Sequence, residues 1–242
     1  MIVEVTGPSG VGKSTFIKNL VRNLSDSGLL TGAICTSEDN HCELIPSYFS
    51  DLSNHNIKTD LAALPWCVAL LIVNPKFLFF ALGSIIFIDG SIPDKIAMLR
   101  SFVRKAGIYR FLKCKRFSGI TILVDEGLFH SAHNFLCSPN SCAPIQSVRA
   151  FFRLCPPPDR LILLMSSEKR LVEQLLGRGD LSPRVAEEKA LISFVIYSRR
   201  LFDCLSGLCK SKGYGLLIDL DITDESELMR RGVAYAKPNK VA

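Results

Sequence analysis

The chain has 242 residues, of which 48% are hydrophobic and 21% are charged, and its formal net charge is +6. This composition excludes an intrinsically disordered chain, and the length suits one folded domain. The basic balance favours anionic partners such as nucleotides, phosphosugars, nucleic acid or acidic lipids, without choosing among them. The nine scattered cysteines predict reduced thiols, as is usual in cytosolic proteins.

The first predicted element is a strand over residues 1–6, followed by the segment GPSGVGKST at 7–15. Apolar residues then recur at helical spacing and predict a helix over 13–27. A strand, a glycine-rich loop and a helix form the context of a phosphate-binding loop of pattern G-x-x-x-x-G-K-[ST]. Such a loop turns backbone N–H groups toward an anion, and the helix N-terminus adds positive partial charge. Because the first strand is a core strand, we expect no cleaved leader.

This segment predicts a site for ATP and Mg²⁺. We expect Lys13 to reach the β- and γ-phosphates and Ser14 to place its hydroxyl on the metal. The other residues predicted to bind the nucleotide are Gly7, Pro8, Ser9, Gly10, Val11, Gly12 and Thr15.

A helical region on the acceptor side is predicted over residues 59–116, after a short strand at 33–35 and a polar stretch at 38–58. Its first part, residues 61–88, is mostly apolar. Breaks at Pro65 and at Asn74-Pro75-Lys76 leave pieces shorter than the ~20 residues that a membrane span needs. We therefore predict two short buried helices, with a hairpin dipping into one leaflet as the alternative.

Basic residues dominate the second part of this region. Eight lysines and arginines and no acidic residue lie between Lys95 and Val124. Arg100 and Arg104 share one helix face by their i, i+4 spacing, and they are candidates to attract an anionic acceptor. The alternatives are peripheral contact of residues 61–116 with an anionic membrane and a solvated basic face. We expect no specific nucleic-acid binding. The sequence is compatible with either a monomer or a homodimer.

Two acidic residues follow the apolar run at 120–124, which predicts a buried parallel strand. Asp125 is expected to be the second anchor of Mg²⁺, and Glu126 the base that activates the attacking nucleophile. The alternative is that either residue caps the helix predicted within 128–155.

Four potential zinc ligands follow this strand, namely His130, His133, Cys137 and Cys142. Their spacing fits no common zinc-binding pattern.

The remaining elements alternate along the chain. We predict a strand at 160–165, helices at 168–178 and 184–211, a strand at 216–219 and a short helix at 224–232. Strands separated by helical segments predict an α/β fold: a doubly wound parallel sheet of about five strands, with helices on both faces and ligands at the carboxyl ends of the strands.

An arginine-rich segment at 168–190 is predicted to form a lid over the phosphates. Guanidinium groups on a mobile loop can stabilise the charge that spreads over a phosphoryl group during transfer. Arg178 and Arg184 are the preferred lid residues, whereas Arg170 fits a lid and a solvated helix face equally well.

The segment at 7–15, the strand ending at Asp125 with 127–131 after it, and the strand, helix and arginine-rich loop of 160–184 resemble P-loop nucleoside and nucleotide kinases. The chain is most similar to thymidylate kinases. The resemblance implies phosphoryl transfer from Mg-ATP on a nucleotide-kinase-like fold. It also implies lid positions at Arg170, Arg178 and Arg184, and an adenine-flanking loop after the strand at 216–219.

The acceptor half departs from that family. Thymidylate kinases carry Asp-Arg-Tyr at this strand end, where the arginine grips the acceptor's phosphate. This chain has Asp125-Glu126-Gly127, and His133-Asn134 stand near the place of the family's Tyr-Gln pair. Deoxynucleoside kinases place a glutamate base at the matching strand end, which suits a neutral hydroxyl acceptor, although their following arginine is absent here.

Three functions are consistent with these residues. The first is a phosphotransferase that moves the γ-phosphate of Mg-ATP to a small anionic, nucleotide-like or sugar-like acceptor. The second is an ATPase switch in which Glu126 activates water, and the third is a membrane-surface kinase of glycans or lipid-linked sugars. The guanine-specific Asn-Lys-x-Asp pattern is absent. The expected location is the cytoplasm, or the periphery of the inner membrane face.

Overall fold

The computed structural model describes residues 1–26, 31–34, 57–113, 120–138, 141–178 and 188–237. Within these ranges the strands are β1 (Ile2–Thr6), β2 (Thr31–Ile34), β3 (Thr121–Asp125), β4 (Arg160–Met165) and β5 (Leu216–Asp219). The helices are α1 (Lys13–Asp26), α2 (Ile57–Val73), α3 (Pro75–Phe87), α4 (Ile92–Leu112), α5 (Ser131–Leu136), α6 (Ile145–Leu154), α7 (Glu168–Arg178), α8 (Glu188–Ser211) and α9 (Glu225–Ala236).

The strands form one sheet in the order β2-β3-β1-β4-β5, and all neighbouring strands run parallel. The connection from β1 to β2 runs toward the β2 edge of the sheet, and every later connection runs toward the β5 edge. Since such crossovers are right-handed, α1 lies on one face and the helices that precede β3, β4 and β5 lie on the other. The α/β class, with a parallel sheet flanked by helices, is therefore confirmed. The winding reverses at β1, so the crevice at its carboxyl end is where a ligand is expected.

Alternation along β1 and β3 separates the two sides of the sheet. Ile2, Ile122 and Val124 pack in one apolar cluster with residues of α2 and α4. Val3 and Leu123 point the other way, into the larger cluster that contains the buried side chains of α1. By the same alternation Glu4 and Thr6 face the α4 side, whereas Asp125 faces α1.

The predicted helical region consists of three helices, and α2 and α4 approach each other closely. A Cβ at Gly107 of α4 would lie 2.2 Å from the Ala63 carbonyl oxygen. At the same contact Asp60 accepts hydrogen bonds from Arg100 at 2.7 Å and from Arg104 at 2.6 and 2.9 Å. The two arginines predicted to face an anionic acceptor therefore hold α2 against α4, and an acceptor would have to compete with Asp60 for them.

Two expectations about the apolar block are wrong. Pro65 lies inside α2 without ending it, and the chain breaks only at Asn74, where α3 begins with Pro75. The helices were expected to be buried, but only one side of each is: Ile72 remains 74% exposed and Phe87 87% exposed. Among the described residues no single helix is long and apolar enough to cross a membrane, although α2 and α3, bent by 115°, meet that test as a pair.

Candidate functional site

The glycine loop, residues 7–12, lies at the carboxyl ends of β1 and β4. Position 7 requires glycine because the backbone there lies close to β4, and a Cβ would stand 2.3 Å from the Leu164 carbonyl oxygen. Gly12 is required by conformation, since its φ of 87° is in the left-handed region. The loop then leads directly into α1 at Lys13. Both fixed glycines of the pattern are therefore needed by the backbone itself.

The buried Lys13 ammonium is held by three oxygens. It donates to the carbonyl oxygens of Gly7 at 3.2 Å and Pro8 at 3.0 Å, and its Nζ lies 3.0 Å from Glu126 Oε1. An ammonium has three N–H donors, so all of them are engaged. A phosphate that is to bind Lys13 must therefore displace at least one of these oxygens.

Ser14 and Asp125 meet across the α1 side of the sheet. The Ser14 hydroxyl donates to Asp125 Oδ2 at 2.8 Å, and Asp125 is fully buried opposite Val5 of β1. Two neighbouring oxygen ligands of Mg²⁺ stand about 3 Å apart when each lies about 2.1 Å from the ion. The spacing of these two oxygens fits a shared Mg²⁺, and the remaining ligands would come from phosphate and water.

Glu126 has a strained backbone at the end of β3. Its φ of 54° is the only positive value found for a non-glycine residue in the described parts of the chain, and such residues are concentrated at functional sites. Its side chain is 29% exposed beside Lys13. Burial raises its pKa, but attraction to the Lys13 and Lys105 ammonium groups and the hydrogen bond from Lys13 act against burial, and the net pKa lies well below the usual value.

The His130 imidazole lies behind Glu126. Its Nδ1 is 2.9 Å from the Thr6 hydroxyl, and its Nε2 is 3.6 Å from Glu126 Oε1. Burial lowers the pKa of His130 well below the usual value and outweighs the attraction of Glu126. The ring is therefore neutral at physiological pH. It stacks on Phe202 of α8, as does the ring of His133, so both histidines are part of a packed aromatic contact.

Glu4 is a site residue that the sequence analysis missed. Its buried carboxylate accepts hydrogen bonds from the backbone N–H groups of Phe129 at 3.0 Å and His130 at 2.7 Å. A Cβ at Gly127 would lie 2.8 Å from Glu4 Oε2, so this turn is built around the Glu4 side chain. Glu4 thereby positions the segment that carries Glu126. The sequence feature that could have identified Glu4 is its position as an acidic residue between the apolar residues of the first strand.

Lys105 on α4 is a second missed residue. It is buried and lines a cavity of about 10 Å³ together with Glu4, Tyr109 and Gly127. Burial lowers its pKa, and attraction to Glu126, Glu4 and Asp125 opposes that effect. The carboxylates at this edge of the sheet are thus balanced by Lys13 and Lys105, whereas Arg104, directly before Lys105, and Arg100 pair with Asp60.

We expect Glu4 to make folding stability depend on pH. Burial raises its pKa from 4.5 to about 7, although the two backbone hydrogen bonds and Lys105 oppose the shift. The folded state thus binds a proton more tightly than the unfolded state. The contribution to stability is full below about pH 4.5 and is lost as the pH rises through 7. From pH 5 to pH 8 this loss amounts to about 2–3 kcal/mol in the free energy of unfolding.

A Glu4→Gln variant removes this titration. Urea unfolding at pH 5, 6, 7 and 8 should show wild type losing stability relative to Glu4→Gln as the pH rises. Glu225→Gln, at an exposed position of α9, should follow wild type at every pH. Parallel curves for wild type and Glu4→Gln would contradict a raised pKa at Glu4.

The predicted lid is only partly within the described residues. Arg170 donates to the Leu220 carbonyl oxygen at 2.7 Å and lies 3.6 Å from Asp221 Oδ1, so it contacts the segment after β5. Arg178 is the last residue of α7, but its side chain lies outside the described residues, as does Arg184. The helix α7 does reach the glycine loop, because a Cβ at Gly10 would lie 2.9 Å from Leu175 Cγ.

The chain matches no protein-family model and no curated protein sequence. Among the described residues no group of three or more histidine, cysteine, aspartate and glutamate side chains could hold a metal ion by itself. The functional interpretation therefore depends on the residues at the carboxyl edge of the sheet.

Proposed function

We propose that this protein binds Mg-ATP at the glycine loop and transfers the γ-phosphoryl group to a hydroxyl of a small acceptor. The observation that carries the proposal is the meeting of Lys13, Ser14, Asp125 and Glu126 at the carboxyl ends of β1 and β3. These residues come from two distant parts of the chain and supply the groups that phosphoryl transfer requires. The layout supports a P-loop, nucleotide-kinase-like assignment of the fold.

Each residue has a distinct role in this proposal. The backbone N–H groups of the glycine loop and the α1 N-terminus bind phosphate oxygens. Lys13 moves its third donor from Glu126 to phosphate, and Ser14 with Asp125 holds Mg²⁺. When bound, Mg²⁺ neutralises charge that develops on the phosphate oxygens.

Glu126 is the proposed general base. After Lys13 turns to phosphate, the carboxylate loses its nearest cation, and its pKa rises toward the range where it accepts a proton efficiently. The proton of the acceptor hydroxyl then passes to Glu126, the acceptor oxygen bonds to the γ-phosphorus, and the bond from that phosphorus to the bridging oxygen breaks to release ADP. Because the carboxylate would repel an acceptor phosphate placed directly on it, we propose that a neutral hydroxyl of a nucleotide-like or sugar-like acceptor faces this position.

Hydrolysis of ATP is the second candidate. The same carboxylate beside Lys13 could take a proton from water, as in ATPase switches. The arginine-rich segment 168–190, predicted from the sequence to close over the phosphates, favours transfer, because a lid that excludes water protects a phosphoryl group from hydrolysis. The glycan and lipid-linked sugar kinases are special cases of the first candidate.

Product analysis separates transfer from hydrolysis. ATP turnover is measured by phosphorus NMR with and without nucleosides, nucleoside monophosphates and sugars. We expect an acceptor to stimulate turnover and to appear phosphorylated, and we expect Arg178→Ala to lower this rate by about 10²-fold. Arg153→Ala, at an exposed position of α6, is the control. Rapid hydrolysis that no acceptor changes and that Arg178→Ala leaves intact would favour the ATPase.

A further inference from the structure

A large apolar surface on the helical region has no role in the proposed chemistry. It covers the outward sides of α2 and α3 and the start of α4, and we call it the outer face. Its most informative members are Leu61, Val68, Ile72, Phe79, Phe87 and Ile92, all of which are exposed. Contiguous apolar patches of this kind mark interaction sites in soluble proteins.

The outer face is continuous along α2. Leu61, Leu64, Val68 and Ile72 follow one another at spacings of three and four residues and are all exposed, so they form a stripe on one side of the helix. The opposite side of α2 packs on α4 through Ala63 and Cys67, which are buried. A helix that is apolar on both its packed and its open side suits a second apolar environment beyond the protein.

An open groove adjoins the outer face. It has a volume of about 490 Å³, and Phe79 and Phe87 form part of it as well as part of the outer face. Leu136, Pro144, Asp89 and several serines also line the groove. A groove lined in part by phenylalanines and continuous with an apolar surface can admit a hydrocarbon chain, whereas a flat contact between two protein copies would leave it unfilled.

Within α2 and α3 the exposed charged residues are two lysines, whereas Asp89 stands in the turn after α3. Between residues 57 and 88 the charged residues are Lys58, Asp60 and Lys76. Asp60 is engaged by Arg100 and Arg104, while both lysines are exposed. Lysines beside an apolar surface can place their stems along it and their ammonium groups at the level of lipid phosphates.

We propose that the outer face binds the surface of an anionic lipid bilayer, with the side chains of α2 and α3 inserted at the boundary between headgroups and acyl chains. The pair α2–α3 matches this environment in length and composition, since together the two helices are long and apolar enough for a membrane span, whereas no single described helix is. The bend of 115° between them suits two helices that rest on one leaflet better than a straight crossing. The proposal is independent of the enzymatic reaction.

Vesicle flotation of the full chain tests the proposal. We expect binding to vesicles of phosphatidylcholine and phosphatidylglycerol. The double variant Phe79→Ser/Phe87→Ser should bind at least about tenfold more weakly, because two large apolar side chains no longer leave water. The residues are 73% and 87% exposed, so the variant should fold, which circular dichroism checks. Ile222→Ser alters an isolated apolar residue that is 85% exposed after β5 and should bind as wild type does.

The lysines provide a separate measurement. Lys58→Gln/Lys76→Gln should weaken binding to the anionic vesicles by about fivefold for each lysine, with no change on phosphatidylcholine alone. Lys18→Gln/Lys210→Gln, at exposed lysines of α1 and α8, should leave binding intact.

Two results would overturn this proposal. One is flotation that is absent, or that Phe79→Ser/Phe87→Ser does not change. The other is a wild-type dimer in analytical ultracentrifugation that the same variant converts to a monomer, without vesicle binding by either protein. The second result would assign the outer face to another copy of the chain.

Discussion

Replacement of Lys13 by alanine should abolish ATP binding and turnover while leaving a folded protein. Lys13 is the cation held by the glycine loop, and its ammonium is buried against two loop carbonyls and Glu126. Without it the phosphates would meet the Glu126 carboxylate with no intervening positive charge. Loss of one such electrostatic contact lowers the rate by about 10²–10³-fold, and the lost binding adds to that effect.

Calorimetric titration with Mg-ATP and a turnover assay measure this loss. Lys18→Ala provides the matched control, because it removes an exposed lysine from the same helix. Wild-type affinity in Lys13→Ala would show that the glycine loop does not hold the nucleotide, and both candidate reactions would fall with it.

The Glu126→Gln variant should separate affinity from rate. In the structure Glu126 occupies the Lys13 donor that a phosphate needs, so its negative charge opposes nucleotide binding. Glutamine removes that competition and its repulsion of phosphate, and ATP affinity should rise about three- to tenfold. Because the amide is not a base at physiological pH, turnover should fall about 10²–10⁴-fold.

A rise in ATP affinity together with a fall in turnover is the result that identifies Glu126 as the base. Calorimetry gives the affinity, and single-turnover kinetics gives the rate without product release. Glu173→Gln, at an exposed position of α7, should change neither quantity. If Glu126→Gln lowers affinity and keeps the rate of bound ATP, then Glu126 is a structural partner of Lys13 and not the base.

Under the proposed function, the free protein holds the site inactive until nucleotide binds. Lys13 holds the pKa of Glu126 low, so the carboxylate is a weak base in the free protein. Glu4 holds the following turn through two backbone hydrogen bonds, and the neutral His130 ring lies behind Glu126. In the proposed reaction Glu126 is therefore already positioned as the general base, and it becomes effective only when Lys13 exchanges Glu126 for phosphate.

Local sequence predicted the parts of this site that one segment can specify. The glycine loop, the strand before it and the helix after it lie within the first 26 residues, and the backbone there requires glycine at both Gly7 and Gly12. The strand ending at Asp125 was recognisable from its apolar run. Both patterns are contiguous, so propensity and spacing were sufficient to find them.

Tertiary structure altered the interpretation where distant residues meet. Arg100 and Arg104 have the spacing of an exposed cationic face, but Asp60, about 40 positions earlier, pairs with both. Lys105 next to them turns inward to the carboxylates instead. Which of three neighbouring cations serves the site depends on how α4 rotates against α2, and no local pattern encodes that rotation.

By itself, the sequence determined the order of strands and helices, the glycine loop and the two acidic residues at the end of β3, because each depends on neighbours along the chain. The packed fold decided the pairing of Lys13 with Glu126, the buried position of Glu4 and the exposure of the outer face. Those properties depend on distance, desolvation and packing between segments that are remote in sequence. The burial of Glu4 and the pairing of Lys13 with Glu126 arise only when α4 and the turn after β3 pack over the same edge of the sheet.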